Sequence, residues 1–218
     1  MIELSLSGRG PRRAFVFDEH RFALPCWAAE PGPAVLVSFD RHFDTVPNVN
    51  ALQPGESLET FTRERLDRRN YDHIPAALQC GVLSSAILIA RARPQGSALD
   101  ARYVHAPTLD VLLEGPDRAR AFELLEAAKR VVLDFDLDCF TTPSDADPTT
   151  AVPWPLELIR EHVLPRGAEG FWELALKRCD VLTFAREPKH TGGLVASGRL
   201  FEAAAQVVFV ELLGADLP

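Results

Sequence analysis

The chain has 218 residues, of which 47% are hydrophobic and 25% are charged, and its formal net charge is −8. This length and composition suit one compact domain with a sizeable core, so we expect residues 1–218 to form a single domain. A nucleic-acid-binding protein needs a basic surface, which the acidic balance disfavours. No run approaches the ~18 uncharged apolar residues of a membrane span.

The first residues and the cysteines indicate the cellular compartment. The N-terminal segment lacks the charged-then-apolar order and the cleavage site of a secretory signal. The cysteines are widely spaced and form no CxxC pair, which predicts reduced thiols and argues against a disulfide framework or a zinc–thiolate site. We therefore expect a cytoplasmic protein with no membrane partner.

Apolar, β-branched runs alternate with helical patterns along the chain. The predicted strands are 13–19, 34–40, 84–92, 130–138 and 180–185. The predicted helices are 21–30, 71–82, 117–129, 154–163, 168–178 and 196–212. The predicted loops are 31–33, 47–55, 94–97 and 141–155. Nearly continuous apolar strands separated by helices are typical of a parallel sheet covered on both faces, so we predict a three-layer α/β/α fold with a mostly parallel sheet.

The run "VVLDFDLDCF" carries carboxylates at alternate positions of a predicted strand. A strand period of two puts Asp134, Asp136 and Asp138 on one face. Three carboxylates repel one another in a partly buried site, so a cation must lie among them or they must share protons. A solvated acidic edge is the alternative, and the apolar flanking residues disfavour it.

The run "VSFDRHFD" poses the same problem at the end of another predicted strand, where ligands of α/β proteins bind. Asp40, His42 and Asp44 occupy alternate positions there, and His20 follows the predicted strand 13–19. Carboxylates with imidazole and without thiolate suit Mn²⁺, and also Fe²⁺, Co²⁺ or Zn²⁺. The six residues of the two runs are too many for one tetrahedral zinc and suit two ions that activate a shared water. An ordinary polar strand end is the alternative.

The two aspartate motifs resemble those of a known superfamily. "DRHFD" and "FDLD", each at the end of a predicted parallel strand and with an upstream histidine, resemble the motifs of the ureohydrolases, which include arginases and agmatinases. The runs "VFDEHRFALPCW", "VSFDRHFDT", "VVLDFDLDCF" and "LTFAREPKHTGG" resemble more closely a compact arginase-like family that includes peptide arginases. The resemblance covers about residues 13–193 and implies an arginase/deacetylase-like fold with two Mn²⁺ per chain.

Two sets of metal ligands follow from this resemblance. The first ion would be bound by His20, Asp40, Asp44 and Asp136, and the second by Asp40, His42, Asp136 and Asp138. Asp40 and Asp136 would then bridge the two ions. Asp134 has no counterpart among the ligands of the motif, and we expect it to be hydrogen-bonded deeper in the sheet.

Hydrolysis of a guanidino group also needs a proton donor for the leaving amine. His73 in "NYDHIPAALQ" and His190 in "EPKHTGG" are the two candidates, and an ordinary helix or loop histidine is the alternative for each. Glu187 is the candidate partner of the substrate guanidinium. Glu211 could take that role only if its segment were a strand, whereas its apolar spacing is helical.

The residue after the first aspartate motif bears on the substrate. Arginases bind the free amino acid through a polar side chain at the position where Val46 stands here. An apolar residue at that position fits an arginine whose backbone is already in amide form, so we expect an arginine-containing peptide or protein as substrate, converted to ornithine with release of urea. A deacetylase-like amidohydrolase and a non-catalytic, metal-stabilised binding module are the alternatives.

Overall fold

The computed structural model describes residues 1–6, 10–11, 13–92, 100–144 and 150–215. Its strands are β1 Ile2–Ser5, β2 Arg13–Phe17, β3 Ala34–Asp40, β4 Leu83–Ala90, β5 Tyr103–Ala106, β6 Val131–Asp136, β7 Thr141–Pro143, β8 Ala151–Pro153 and β9 Cys179–Ala185. Seven of them form one sheet in the order β1-β2-β9-β6-β3-β4-β5, in which β1 is antiparallel to β2 and every other pair is parallel. Strands β7 and β8 form a separate antiparallel hairpin.

Helices cover both faces of the sheet. They are α1 Ala23–Trp27, α2 Leu58–Arg65, α3 His73–Gln79, α4 Leu109–Glu114, α5 Arg118–Ala127, α6 Leu156–Val163, α7 Glu169–Lys177 and α8 Leu194–Ala205, which continues as a π-helix over Gln206–Leu212. One buried apolar cluster joins the sheet to α1, α2 and α3, and the other joins it to α4 through α8. The three-layer α/β/α prediction is confirmed. Among the helices that the structure describes, none is both long and apolar enough to span a membrane.

The predicted elements are present, most of them with shorter bounds, although β3 has the predicted bounds and β4, β9 and α8 begin earlier than predicted. The predicted helix 21–30 is reduced to α1 because His20–Phe22 forms a 3₁₀ turn before it. The predicted strand 130–138 ends at Asp136, and Leu137–Phe140 is a 3₁₀ turn, so the expectation of three aspartates on one strand face is wrong for Asp138. The predicted loop 94–97 and residues 145–149 of the predicted loop 141–155 lie outside the described residues.

Six of the strands and helices that the structure describes were not predicted from the sequence. They are β1, β5, β7, β8, α2 and α4. Strands β1 and β5 lie at the two edges of the sheet, where few residues are buried and the apolar pattern is short. Helix α2 is largely polar, and it begins at Ser57, whose side-chain oxygen accepts a hydrogen bond from the Thr60 backbone N–H. Packing and capping, rather than apolar periodicity, define these elements.

The sheet order brings the two aspartate motifs together. Strands β3 and β6 are neighbours at the centre of the sheet. From β3 the chain continues through β4 and β5 on one side, whereas β6 and β9 lie on the other, so the order changes direction between β3 and β6. The crevice beyond the carboxyl ends of strands at such a point is the usual ligand site of an open α/β sheet. Asp40 and Asp136 are the last residues of these two strands.

A partly buried ion pair lies at the amino ends of β6 and β9, opposite this crevice. Arg130 precedes β6, and its guanidinium donates to both carboxylate oxygens of Asp180, at 2.5 Å from Nε and 3.1 Å from Nη2. The same guanidinium donates to the backbone carbonyls of Gly32 and Trp27. One cation here faces one anion, and the remaining donors meet carbonyl oxygens.

Candidate metal centre

The first predicted ligand set converges in the structure. The side-chain Nδ1 of His20 lies 3.1 Å from Oδ2 of Asp44, 3.1 Å from Oδ2 of Asp136 and 3.5 Å from Oδ2 of Asp40. All four side chains are buried, and their ligand atoms lie within 4.8 Å of one another. The 3₁₀ turn after β2 supplies His20, the ends of β3 and β6 supply Asp40 and Asp136, and the loop after β3 supplies Asp44.

Two atoms of this set have no hydrogen-bond partner. They are Nδ1 of His20 and Oδ2 of Asp40, both of which are buried. Buried polar atoms are nearly always paired, so an unpaired nitrogen and oxygen that face each other across a few ångströms point to a bound cation. Three carboxylates and one imidazole form a donor set that suits Mn²⁺ and related divalent ions.

The second set lies beside the first and nearer the surface. The Nδ1 of His42 is 3.1 Å from Oδ2 of Asp138 and 3.8 Å from Oδ1 of Asp40, and the ligand atoms of these three residues lie within 4.8 Å of one another. The side chain of His42 is 51% exposed, so this set borders solvent. Asp40 offers one oxygen to each set, which is the geometry of a bridging carboxylate.

Asp136 does not join the second set in the same way. Its Oδ1 accepts a hydrogen bond from the backbone N–H of Asp138 at 3.2 Å. This contact caps the 3₁₀ turn that carries Asp138 towards His42, so Asp136 shapes the second set through the backbone. Its role as a bridge between two ions remains a prediction.

Asp134 is held within the sheet beneath the ligands. It is fully buried, and its carboxylate contacts the side chains of His20, Ser38 and Thr183. The expectation that Asp134 is hydrogen-bonded deeper in the sheet is confirmed.

The electrostatics of the cluster favour uptake of a cation. Burial, together with neighbouring carboxylates, raises the pKa of Asp40 and of Asp136 well above the usual range of an aspartate. Burial lowers the pKa of His20, but Asp134 and Asp136 outweigh it, so the net pKa of that imidazole is well above its usual value. A hydrogen bond to Asp138 raises the pKa of His42. Without a cation the cluster holds protons, which a divalent ion would replace.

Glu187 lies against the cluster, although it follows β9 rather than β3 or β6. Its Oε1 accepts hydrogen bonds from the backbone N–H of His20 at 2.7 Å and from Nδ2 of Asn70 at 2.6 Å. Its Oε2 is 3.9 Å from Nε2 of His190. Burial raises the pKa of Glu187. One oxygen is therefore fixed by the protein while the other faces the side of His190.

Backbone strain is concentrated around these residues. Among the residues that the structure describes, three non-glycine residues have positive φ angles, namely Asp44 at 44°, Asn70 at 65° and Glu187 at 42°. Each costs conformational energy, and such residues cluster at functional sites. Asn70 was missed by the sequence analysis. Asparagine tolerates this conformation well, but its partner Glu187 is 117 residues away, and no local pattern reveals such a contact.

The two candidate proton donors have opposite environments. His73 is fully buried, with its ring centroid 4.3 Å from that of His20, and its Nδ1 donates to the backbone carbonyl of Asn70. Burial lowers the pKa of His73 well below its usual value. Its Nδ1 is also 3.7 Å from Oδ2 of Asp44. The side chain of His190 is 54% exposed, and its ring centroid is 6.3 Å from that of His42.

Other residues of interest are not among the metal ligands. Glu211 lies in the π-helix and pairs with Arg160 at 2.7 Å, so the helical expectation for this segment is confirmed. Val46 is 48% exposed on the loop after β3. Gly192 and Gly193 have φ angles of 91° and 95°, which the turn before α8 requires.

Comparisons with known proteins give structural similarity alone. No protein-family model matches the chain, and no curated protein sequence matches it. The chain is similar to the agmatine ureohydrolase of Thermoplasma volcanium, with 18% identity and a TM-score of 0.41 over 91% of this chain and 64% of that chain. It is similar to the arginase from Bacillus caldovelox, with 14% identity and a TM-score of 0.48 over 94% of this chain and 69% of that chain. The functional interpretation rests on the side chains of the site.

Proposed function

We propose that the protein is a dimanganese hydrolase that converts arginine side chains in a peptide to ornithine and releases urea. One observation carries the proposal. Two adjacent groups of histidine and aspartate ligands share Asp40, and buried ligand atoms without a partner face one another at the carboxyl ends of β3 and β6. Divalent ions held there would supply an activated water nucleophile.

The side chains around the ligands suit a cationic substrate. Hydrolysis adds water to the guanidinium carbon and breaks its bond to the side-chain nitrogen, which leaves as an amine after taking a proton. Glu187 would pair with the guanidinium through Oε2, because its Oε1 is already held by His20 and Asn70. His190 would supply the proton because it is exposed beside His42, whereas His73 is enclosed behind His20.

Apolar side chains around the site support a peptide substrate. Val46 and Val49 are exposed on the loop after β3, Val152 on the hairpin after β6, and Leu194 and Val195 at the segment after β9. A groove of about 590 Å³ runs between the hairpin and the start of α8. Exposed apolar residues on the segments that follow β3, β6 and β9 favour contact with a partner longer than a single amino acid.

Urea release from two kinds of substrate tests the proposal. The Mn²⁺-loaded protein should contain two ions per chain and should hydrolyse an internal arginine in a peptide with a higher kcat/KM than free arginine. Flanking residues contribute binding energy in the transition state, so shortening the peptide should lower kcat as well as affinity. Mass spectrometry should show loss of the mass of cyanamide from the peptide. A preference for free arginine would instead indicate a small-molecule ureohydrolase.

Two further outcomes would reject the proposal in favour of another function. One zinc per chain and release of acetate from an acetylated substrate would indicate a deacetylase-like amidohydrolase. Bound metal with neither activity would indicate a binding module.

The Glu187→Gln variant, which keeps an oxygen for His20, should raise KM for the arginine peptide. Its matched control is Glu211→Gln, since Glu211 pairs with Arg160 outside the site.

A further inference from the structure

We infer that Asp134 is a positioning residue that holds the ring of His20 with Nδ1 directed at the metal. The inference rests on the proposed metal centre. The Oδ2 atom of Asp134 lies 2.8 Å from Nε2 of His20, on the side of the ring opposite the ligand atoms. Asp134 itself lies in neither group of ligand atoms described above.

The donors around Asp134 fix the direction of this contact. Ser38 donates its hydroxyl proton to Oδ2 at 2.8 Å, and Thr183 donates to Oδ1 at 2.5 Å. The indole of Trp27, which can only donate, donates to the hydroxyl oxygen of Thr183 at 3.1 Å and so leaves the proton of Thr183 for Asp134. The Asp134 carboxylate therefore accepts from Ser38 and Thr183, and its third contact is with Nε2 of His20, which acts as the donor.

This arrangement decides which nitrogen of His20 is free. A proton on Nε2 leaves the lone pair of Nδ1 available, and Nδ1 lies 3.1 to 3.5 Å from the oxygens of Asp40, Asp44 and Asp136. A carboxylate behind a histidine ligand sets its tautomer, fixes its ring and increases its affinity for metal. Asp134 would act in this way on the first ion and would leave the second set, which contains His42, unaffected.

Two substitutions, Asp134→Asn and Asp134→Leu, separate the acceptor from the charge. In Asp134→Asn, the amide oxygen can accept from His20 and Ser38, and the amide nitrogen can donate to Thr183, whose hydroxyl can turn to the carbonyl of Leu133 at 3.3 Å. Asp134→Leu keeps the number and branching of the side-chain heavy atoms and has no acceptor. The asparagine variant therefore removes the charge alone, and the leucine variant removes the charge and the acceptor together.

The experiment measures Mn²⁺ binding to the full chain without substrate. Asp134→Leu should weaken one of the two ions about 10- to 100-fold and leave the other unchanged, and Asp134→Asn should weaken the same ion less. The absorption spectrum of the Co²⁺-loaded protein should change in Asp134→Leu, since it reports ligand geometry. If Asp134→Leu does not fold, Asp134→Ser, whose hydroxyl is too short to reach His20, takes its place with the same expectation.

Asp180→Asn is the matched control because it disturbs a partly buried, ion-paired carboxylate at the amino ends of the strands, away from the metal ligands, and it should leave both affinities unchanged. Wild-type affinity for both ions in a folded Asp134→Leu variant would overturn the inference, as would equal losses in the asparagine and leucine variants. A wild-type chain that binds no ion at His20 would overturn it too. Failure of the proposed function is distinct, because it would appear as absent urea release with the metal-binding differences intact.

Discussion

The two ends of the parallel strands bury charge in different ways. We call them the amino edge and the carboxyl edge of the sheet. At the amino edge, Arg130 and Asp180 form a pair with one charge of each sign, and backbone carbonyls accept the remaining donors. At the carboxyl edge, carboxylates outnumber imidazoles, and Nδ1 of His20 and Oδ2 of Asp40 lack partners. Both clusters are polar and at least partly buried, so burial alone does not identify a ligand site. An excess of one charge together with unpaired ligand atoms does.

The largest effect is expected from substitution of a metal ligand at the carboxyl edge, which leaves the amino edge intact. Asp40→Ala should abolish binding of both ions and lower urea release by at least about 10³-fold, because Asp40 offers an oxygen to each ligand set. His20→Ala should mainly weaken one ion, since His20 belongs to the first set only. Elemental analysis of the purified variants, with urea release measured alongside, checks both expectations.

Asp136→Ala tests whether a second carboxylate of the carboxyl edge bridges the two ions. We expect it to lose both ions as well, because Asp136 is predicted to bridge. Its contact with the second set is a hydrogen bond from the backbone of Asp138. Two tightly held metals in Asp136→Ala would refute the ligand assignment, and loss of a single ion would refute the bridge.

The buried imidazole of His162, which lies at neither edge, should make the stability of the fold sensitive to acid. His162 packs among the rings of Phe39, Phe140 and Trp154. Burial, with a contribution from Arg91, lowers the pKa of His162 to about 4. The unfolded chain therefore binds a proton below its ordinary pKa of ~6.5 while the folded chain does not, so stability is full above pH ~6.5 and is lost as pH falls towards 4.

The expected size of this loss is about 3 kcal/mol between pH 6.5 and pH 4. His162→Leu should remove it, so the difference in free energy of unfolding between wild type and variant should change by that amount over this interval. Urea-denaturation curves of the two metal-free proteins at several pH values measure the difference. A difference that does not vary with pH would show that His162 does not titrate as described.

The amino edge should respond to substitution without regard to metal. Asp180→Asn should lower the free energy of unfolding by about 2 kcal/mol, because it leaves the guanidinium of Arg130 without its anion in a largely buried position. The loss should be the same with and without Mn²⁺. Thermal or denaturant unfolding of both forms measures it, and a loss that depends on added metal would contradict the assignment of this pair as purely structural.

The smallest expected effect is a gain in the free energy of unfolding, whereas Asp180→Asn should cause a loss. Burial raises the pKa of Asp136, so ionising it costs folding energy in the metal-free protein, and this cost grows as pH rises. Asp136→Asn should therefore stabilise the metal-free chain by about 1 kcal/mol near neutral pH while it weakens metal binding. Unfolding curves in the presence of a chelator test this. Destabilisation of the metal-free variant would mean that hydrogen bonding outweighs repulsion at this site.

The predictable part of the site consists of residues that follow buried strands directly. Asp40, His42 and Asp44 could be found because alternate polar residues end an apolar run, and Asp136 and Asp138 because the same pattern recurs in a second run. The path of the chain at Asp138 could not be predicted, because the 3₁₀ turn there depends on a hydrogen bond to the side chain of Asp136.

Long-range contacts explain most of what the sequence analysis missed. Asn70 supports Glu187 from a different loop, and Thr183 meets Asp134 across neighbouring strands. Neither pair leaves a periodic signal, because each depends on the order of strands in the sheet. The same limit applies to α2, where polar composition conceals a helix whose apolar contact is concentrated at Phe61.

The pairing of β2 with β9 has a consequence for biosynthesis. Arg13 and Val181 are register partners, and Glu187 receives a hydrogen bond from the backbone of His20 across 167 residues. Residues as far as Glu187 must therefore have left the ribosome before the central sheet can close around His20. Contacts of such high sequence separation slow folding, and the incomplete sheet exposes unpaired strand edges in the meantime. Nascent chains that end before β9 should accordingly bind Mn²⁺ poorly and depend on chaperones.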